Sequence, residues 1–453
     1  MIENMFKFLA PIVLLLAFPF PGHSQTDAAA PATGDAQASA PPNIVMIISD
    51  DHAWTDYGFM GHPIVATPHL DKLAAQSLTF KKGYVPSSLC CPSLASVITG
   101  KYPHQHKITG NDPQVDAGAS EGRPKLKNPA FAAGRDRMKA LIRATPTLPR
   151  ILHEHAGYDC LQTGKWWLGS FADGGFTEGM TAGDPSHGGR HGDAGLEIGR
   201  KGLAPIQDFI HRSTSAKKPF MVWYAPLMPH DPHTPPEEIL AKYRGKTDSI
   251  HIARYLAMVE WFDQTCGDLL GILDQEKIAD NTIVVYFADN GWIQSPDNSR
   301  FAPKSKQSPY DGGLRTPLLI RWPAKIKPLL SDRPASTVDL LPTLLRACNL
   351  PVPNDCPGIN LLDPVALAAQ DTVQGACFDH DMVNLDAPAQ SLKWRWCRQG
   401  DFKLILPSPR VPDALPELYN LALDPLELAN IAAGDPPKVK ALMGHLNTWW
   451  TPN

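Results

Sequence analysis

Ile44-Val45-Met46-Ile47-Ile48-Ser49-Asp50-Asp51 is the stretch on which the fold turns. Five apolar residues in a row, mostly β-branched, have the length and composition of a strand buried on both faces, as in a parallel sheet covered by helices. The run then breaks without a spacer into a serine and two carboxylates. Apolar runs of the same kind recur at residues 158–162, 220–224, 283–287 and 317–320, with helical patterns between them. Thr67-Pro68 offers an N-cap and a proline at the first helical position, and Leu70, Leu73, Ala74 and Leu78 continue with helical spacing. Residues 252–273 read as a long amphipathic helix, with apolar residues at 256, 259, 262 and 269. This alternation predicts an α/β fold with a largely parallel central sheet sandwiched by helices.

Outward from the sheet the signals change. Residues 111–144 and 171–202 are punctuated by Gly, Arg and Pro and read as long loops, of the kind that shape a substrate site. A boundary near residues 365–375 separates a main domain, residues 42–370, from a smaller C-terminal α+β subdomain, residues 371–453. There, Trp394-Arg395-Trp396-Cys397 and Phe402-Lys403-Leu404-Ile405-Leu406 read as antiparallel strands around a Gln399-Gly400-Asp401 turn, and residues 439–450 as a closing helix. At the other end, Lys7, an apolar run over residues 8–20 and Gly22-His23-Ser24 have the layout of a signal peptide over residues 1–24, followed by a flexible leader over residues 25–41. Pro11 and Pro19 interrupt the apolar run, which is short for a span, so cleavage is expected and a stable membrane anchor is not. The expected location is periplasmic or extracellular.

Of 453 residues, 43% are hydrophobic and 19% charged, which is ordinary for a globular protein. The net charge of −4 and the lack of a basic block argue against a nucleic-acid partner. Export permits disulfides, with Cys348/Cys356 and Cys377/Cys397 as plausible local pairs; free buried thiols fit equally well. Adjacent Cys90 and Cys91 are poorly placed to bridge each other.

Polar residues fall where strands end. Asp50-Asp51 follow the first strand, and Ala288-Asp289-Asn290-Gly291 follow the one over residues 283–287. Ligands of open α/β sheets bind beyond the carboxyl ends of strands, so both pairs are expected at one crevice. Asp50, Asp51, Asp289 and Asn290 make an all-oxygen set suited to Ca²⁺, with Mg²⁺ possible, although either pair alone would also suit a turn or cap. A second group is Cys90-Cys91-Pro92-Ser93-Leu94-Ala95-Ser96, followed by Thr99-Gly100-Lys101-Tyr102-Pro103. Residues 92–98 have helical character, which puts Cys90 at a helix N-terminus, a place that favours anions. Further motifs are Gly164-Lys165-Trp166-Trp167-Leu168-Gly169, Pro229-His230-Asp231-Pro232, and Lys306 four residues before Tyr310-Asp311-Gly312-Gly313. Arg315-Thr316-Pro317, Asp339-Leu340-Leu341-Pro342-Thr343 and Glu417-Leu418-Tyr419-Asn420-Leu421 with Asp424-Pro425 complete the series.

Taken in order over about residues 42–430, these motifs resemble those of the type I, formylglycine-dependent sulfatases of the alkaline-phosphatase-like superfamily. The resemblance implies that a maturing enzyme oxidises Cys90 to formylglycine and that Asp50, Asp51, Asp289 and Asn290 hold the metal. It implies that Lys165 and Lys306 are charges for the sulfate, and that His230 bonds a sulfate oxygen or protonates the leaving group. The expected protein is an exported sulfuric ester hydrolase acting on a sulfated carbohydrate or aryl compound. Trp166, Trp167 and Trp223 could form aromatic walls for such a substrate, or core.

Two positions depart from the family pattern. Leu94 stands where Cys-x-Pro-x-Arg has its Arg, and Trp167 where Gly-Lys-Trp-His-Leu-Gly has its His. Leu has no polar group and Trp only donates, so neither does acid–base work. His52, His104, His106, His187, His191 and His233 lie in or beside segments bordering the crevice and are candidate substitutes. Two other readings fit the sequence. One is a catalytically impaired relative that binds sulfated glycans. The other is a phosphatase or phosphodiesterase of the same superfamily, whose two-zinc sites use several histidines; Asp289-Asn290 argues against it.

Overall fold

Strand β1, Asn43–Ser49, is the hub of an eight-stranded sheet in a computed structural model that describes residues 40–114, 128–182 and 193–452. With strands numbered in chain order, β1 lies between β7, Phe220–Ala225, and β8, Thr282–Ala288, parallel to both. Beyond β7 come β5, Asp159–Gly164, and the short edge strand β6, Glu178–Gly179, again parallel. Beyond β8 the direction changes: β9, Leu318–Arg321, is antiparallel to β8, and β2, Leu78–Phe80, is antiparallel to β9. β10, Leu329–Ser331, closes that margin parallel to β2. The sheet is therefore largely parallel, as expected, with an antiparallel excursion at one side.

Ile44, Met46 and Ile48 of β1 belong to one buried cluster and Val45 and Ile47 to another. Successive strand residues point to opposite faces, so both faces of β1 are covered. That is why β1 reads as a continuous apolar run instead of an alternating one. Ile250–Gln275, the helix expected over residues 252–273, sends Met258, Phe262, Cys266 and Leu269 into the second cluster.

Two small ladders tie loops down: β3, Gly83–Tyr84, pairs with β11, Ala335–Ser336, and β4, Asp112–Pro113, pairs with β13, Asp381–Met382. The C-terminal region carries an antiparallel sheet in the order β12, Thr372–Phe378; β14, Leu392–Gln399; β15, Phe402–Pro407; β16, Glu417–Asn420. Gly400, at φ +58°, makes the expected turn between β14 and β15. Pro436–Trp449, the closing helix, packs Leu442 and Leu446 on Cys397, Leu404 and Leu418.

Several expectations need correction. Residues 129–144 are not loop: Pro129–Ala144 is a helix capped by the Asn128 side chain, burying Phe131, Met138 and Ile142. Gly134 within it, which obscured the pattern, is where Pro113 packs; an added Cβ would lie 2.5 Å from the proline ring. The 171–202 stretch holds 3₁₀ turns at Phe171–Gly174 and Ala194–Glu197 besides β6. Pro68 does begin a helix, Pro68–Ala75, but the Thr67 side chain does not cap it. Asp263 of the long helix does so instead, accepting from His69 N at 3.1 Å and Leu70 N at 2.8 Å. All eight cysteines are free thiols. Cys377 Sγ faces Ser88 Oγ at 3.3 Å while Cys397 packs against the closing helix, so the two lie on opposite faces of the C-terminal sheet. Residues 1–24 and most of 25–41 lie outside the described residues, as do His187 and His191. No described helix is long and apolar enough to cross a membrane.

Candidate active site

Register brings the motifs together. Ser49 pairs with Ala288, and Gly164 with Ala225, so Asp50-Asp51, Asp289-Asn290, Lys165 and the segment leading to His230 all leave the same carboxyl edge. Gly164 sits at φ +75°, and an added Cβ would lie 1.9 Å from the Ala225 carbonyl oxygen. Bare backbone lets Lys165 N donate to that oxygen at 2.6 Å, which turns the lysine inward. Gly291 packs likewise on Gly312 and donates to Gly313 O at 2.9 Å, locking the Asp289-Asn290 corner to the block downstream of Lys306.

The cluster so formed is buried and densely paired. Lys165 Nζ bonds Asp50 Oδ1 and, at 2.8 Å, Asp289 Oδ2. Lys306 Nζ spans both Asp51 oxygens at 2.6 and 2.8 Å. His230 Nε2 lies 3.4 Å from Asp51 Oδ2, and its Nδ1 is held by the backbone oxygen of Asp231 at 2.6 Å and by that residue's carboxylate at 3.0 Å. Burial opposes every charge here. It holds the Asp50 carboxyl up at about 6 although Lys165 adjoins it. For Asp51, Lys306, His230 and Lys165 outweigh burial and keep the carboxyl well below the usual range. Burial likewise disfavours the His230 imidazolium, but Asp50, Asp51 and Asp231 raise its pKa. Asp289 and Asp50 hold Lys165 charged, and Asp51 does the same for Lys306.

Three carboxylates face two ammonium groups, and two acceptors remain unmatched. Asp50 Oδ2 and Asn290 Oδ1 are buried without a hydrogen-bond partner. The Asn290 amide is oriented by its nitrogen, which donates to Asp51 Oδ1 at 2.7 Å, so its orphaned atom is the oxygen. Buried polar atoms left unsatisfied are rare and costly. Orphaned hard oxygens in an acidic cluster fit a divalent cation of the Ca²⁺ or Mg²⁺ type.

Cys90 opens the helix Cys90–Thr99, every residue of which is buried. A ligating atom each from Cys90, Asp50 and Asp51 lie within 4.8 Å of one another. Burial pushes the Cys90 thiol up to about 11, so as a plain cysteine it is a poor nucleophile at neutral pH. Leu94 points into the main core cluster. Above Cys90 opens a cleft of about 330 Å³ whose walls include Asn111, Trp167, His230, Trp292, Lys306 and His380. Lys165 lies beneath this cleft, closed on the carboxylates. Trp166 and Trp223 are core, ring to ring at 6.0 Å, and only Trp167 of the three forms a wall.

Most of the candidate substitute histidines are accounted for structurally. His52 bonds Ser49 Oγ at 2.8 Å and the Asp56 carbonyl at 3.0 Å, His106 bonds Ser96 Oγ at 3.0 Å, and His104 stacks on Trp450. His233 packs edge-on to Trp292, outside the cleft lining. The site also uses residues that sequence reasoning passed over. Asn111 Oδ1 accepts from Cys91 N at 2.9 Å, and His380 reaches the cleft from beyond the expected domain boundary. Arg135, on the helix misread as loop, donates to the Asn111 carbonyl at 3.0 Å and to the Trp167 carbonyl, bracing both walls.

An acidic, cation-fitting cluster thus lies under an open cleft at the carboxyl edge of this sheet. The sulfatase family profile matches residues 42–350, and the profile of the N-sulphoglucosamine sulphohydrolase C-terminal region matches residues 304–448. The chain belongs to the sulfatase family. N-acetylgalactosamine-6-sulfatase of Canis lupus familiaris is 29% identical over 387 residues, covering 74% of this chain and 68% of that protein. Arylsulfatase A of Homo sapiens is 28% identical, covering 69% and 65%. The chain thus spans about two thirds of the length of these mammalian relatives. An N-acetylgalactosamine-6-O-sulfatase of Bacteroides thetaiotaomicron is 23% identical and covers 90% of this chain and 92% of its own. A solved structure in complex with its substrate D-glucosamine-2-N,6-O-disulfate superposes with a TM-score of 0.68 at 22% identity, over 90% of this chain and 97% of that one. A phosphonate monoester hydrolase of Agrobacterium radiobacter reaches 0.63 at 18% identity, over 90% and 95%. At such identities these structures share the fold alone.

Proposed function

We propose that this chain is an exported sulfatase that cleaves a sulfate monoester on a sulfated carbohydrate or aryl compound, with formylglycine at position 90 and one Ca²⁺, or Mg²⁺, held by Asp50, Asp51, Asp289 and Asn290. The observation that carries the reading is the pair of orphaned oxygens, Asp50 Oδ2 and Asn290 Oδ1, buried in the cluster that Cys90 adjoins. The metal would neutralise charge on the sulfate, and formylglycine would supply the attacking oxygen. The chain's own groups divide the remaining work. Lys306, on the cleft wall, meets nonbridging sulfate oxygens, and Lys165 keeps the carboxylates Asp50 and Asp289 in place. His230, whose pKa Asp50, Asp51 and Asp231 raise against the effect of burial, is the donor for the leaving oxygen. The start of the helix at Cys90 adds its dipole to the anion site. A formylglycine-generating or sulfatase-maturing enzyme is the implied partner in biogenesis. We further assign residues 42–370 to the catalytic domain and 371–453 to a subdomain.

The test combines peptide mass spectrometry with turnover of 4-nitrophenyl sulfate. Chain co-expressed with a maturing enzyme is expected to carry formylglycine at position 90 and to turn over. Cys90→Ala is expected to release no sulfate, and chelation to lower both the rate and the melting temperature. Active, metal-loaded protein with an unmodified Cys90 would refute the mechanism, and two zinc ions per chain would favour the phosphatase reading. Trp167, in the cleft wall where an acid–base residue is expected, favours a second reading, a glycan-binding protein without turnover. It predicts binding of sulfated glycans by mature protein that releases no sulfate.

A further inference from the structure

We propose that Arg300 forms a second anion site at the mouth of the cleft, so that the substrate is a sulfated sugar with a further anionic group, a sulfate or a carboxylate, besides the ester that is cleaved. This rests on the sulfatase reading above and narrows its substrate class. The cleft wall carries two side-chain cations, Lys306 and Arg300, in different circumstances. Lys306 is buried and already spans both Asp51 oxygens at 2.6 and 2.8 Å. Arg300 is exposed, and no described residue hydrogen-bonds its guanidinium or pairs with its charge. The carboxylate on the same wall, Asp231, lies 3.0 Å from His230 Nδ1. The rim thus presents an uncompensated positive charge whose planar fork of N–H donors matches a carboxylate or a sulfate.

A buried amide holds this arginine in place. Gln294 is 8% exposed, and its Nε2 shares its protons among the carbonyl oxygens of Ser295 at 2.9 Å, Asn298 at 2.7 Å and Arg300 at 3.1 Å. Its Oε1 accepts from Trp292 Nε1 at 3.1 Å. Arg300 O also accepts from Ser295 N at 3.0 Å, and Arg300 N donates to Asn298 Oδ1 at 2.8 Å. A surface turn can leave its carbonyls to water; a buried glutamine gathering them from inside fixes where residue 300 stands. The same glutamine joins that turn to the reaction centre through Trp292. Lys306 Nζ lies 5.6 Å from the Trp292 ring centroid, and the ring of Phe301, next to Arg300, lies at 5.3 Å. Trp167, Trp292 and Phe301 all line the cleft, giving aromatic surface suited to the apolar face of a sugar. A ligand whose ester sits over Cys90 and Lys306 therefore runs along this surface toward a preorganised, unpaired guanidinium. A singly charged aryl sulfate would leave that group unused.

Competitive inhibition of 4-nitrophenyl sulfate turnover tests this with N-acetylglucosamine 6-sulfate, glucosamine 2-N,6-O-disulfate, and N-acetylglucosamine 6-sulfate linked to a hexuronate. The wild type is expected to bind a two-anion probe about 10-fold or more tightly than the monosulfate. Preference for the disulfate identifies the second anion as a sulfate, and preference for the uronate disaccharide identifies it as a carboxylate. Arg300→Ala is expected to abolish the preference, and Arg300→Lys to retain part of it, since the charge stays and the fork is lost. Wild-type protein that inhibits no more strongly with either two-anion probe than with the monosulfate overturns the proposal and leaves the sulfatase reading intact. So does Arg300→Ala protein that keeps the full preference. Wild-type protein that neither turns over nor carries formylglycine overturns the sulfatase reading itself, and the proposal with it.

Discussion

Gly164 is held in the left-handed region, with the Ala225 carbonyl filling the space a side chain would need. Gly164→Ala combines a conformational penalty with a backbone collision, and is expected to cost about 2–5 kcal/mol in urea denaturation. It should also weaken cation-dependent stabilisation, because Lys165 is aimed by this turn. A Gly164→Ala protein as stable as wild type would show that the strand end relaxes freely. At this scale much of the site was legible. Asp50, Asp51, Lys165, His230, Asp289, Asn290 and Lys306 all come to one cluster, because each follows a strand or lies in a distinctive motif. Asn111 and His380 were not legible, since lone polar residues in irregular chain carry no periodic or motif signal, and Arg135 lies on the helix Pro129–Ala144, whose pattern was hidden. Only the fold reveals that 111–112 and 381 are neighbours.

Among the elements, the helix Pro68–Ala75 shows a local signal overridden by tertiary structure. Thr67-Pro68 has the residues of a cap, yet Thr67 Oγ1 accepts from Gly58 N at 2.8 Å, and Asp263 caps the helix from across the sheet face. Burial raises the Asp263 carboxyl to about 7. A carboxyl whose folded pKa exceeds its unfolded one binds its proton more tightly when folded. Its contribution is therefore fully present below the unfolded value, near 4, and is lost as pH rises toward 7. Asp263→Asn removes this dependence. Relative to wild type the variant is expected to gain stability between pH 5 and pH 7.5, by up to about 3 kcal/mol. Denaturant melts at the two pH values check the slope, and a relative loss would contradict the assignment. The helix Pro129–Ala144 was hidden for a different reason. Its apolar stripe is only three residues, interrupted by a glycine that serves packing instead of helix propensity.

Across the whole molecule, the C-terminal sheet is fastened to the site by charge. Lys403 of β15, fully buried, donates to Asp311 Oδ1 at 2.8 Å and forms an ion pair with Glu427 Oε1 at 2.8 Å, and Glu427 Oε2 accepts from Asp311 N. Asp311 opens the Gly312-Gly313 block on which the Asp289-Asn290 corner rests. Lys403→Met would leave two buried carboxylates facing each other, and is expected to destabilise the protein by about 3–5 kcal/mol. Hydrogen exchange should show protection lost in β14–β16 and around residues 306–314 together; loss confined to the C-terminal sheet would mean the two regions are mechanically independent. The fold class followed from β1 and its companion runs, since a doubly covered sheet leaves an unmistakable apolar record. The antiparallel margin of β9 and β2 did not, because short strands of either direction look alike in sequence.

The position of β1 in the sheet also sets a clock. Its two neighbours begin at Phe220 and Thr282, so the central pairings cannot form until those segments have been made. Cys90 is only 2% exposed in the folded protein, so an enzyme that must grasp the chain around it is best served before those pairings form. At ribosomal speeds the wait between residue 90 and residue 282 lasts on the order of ten seconds or more. If Cys90 is matured as proposed, a late partner strand for the first strand gives the chain a window for that chemistry before folding covers the thiol.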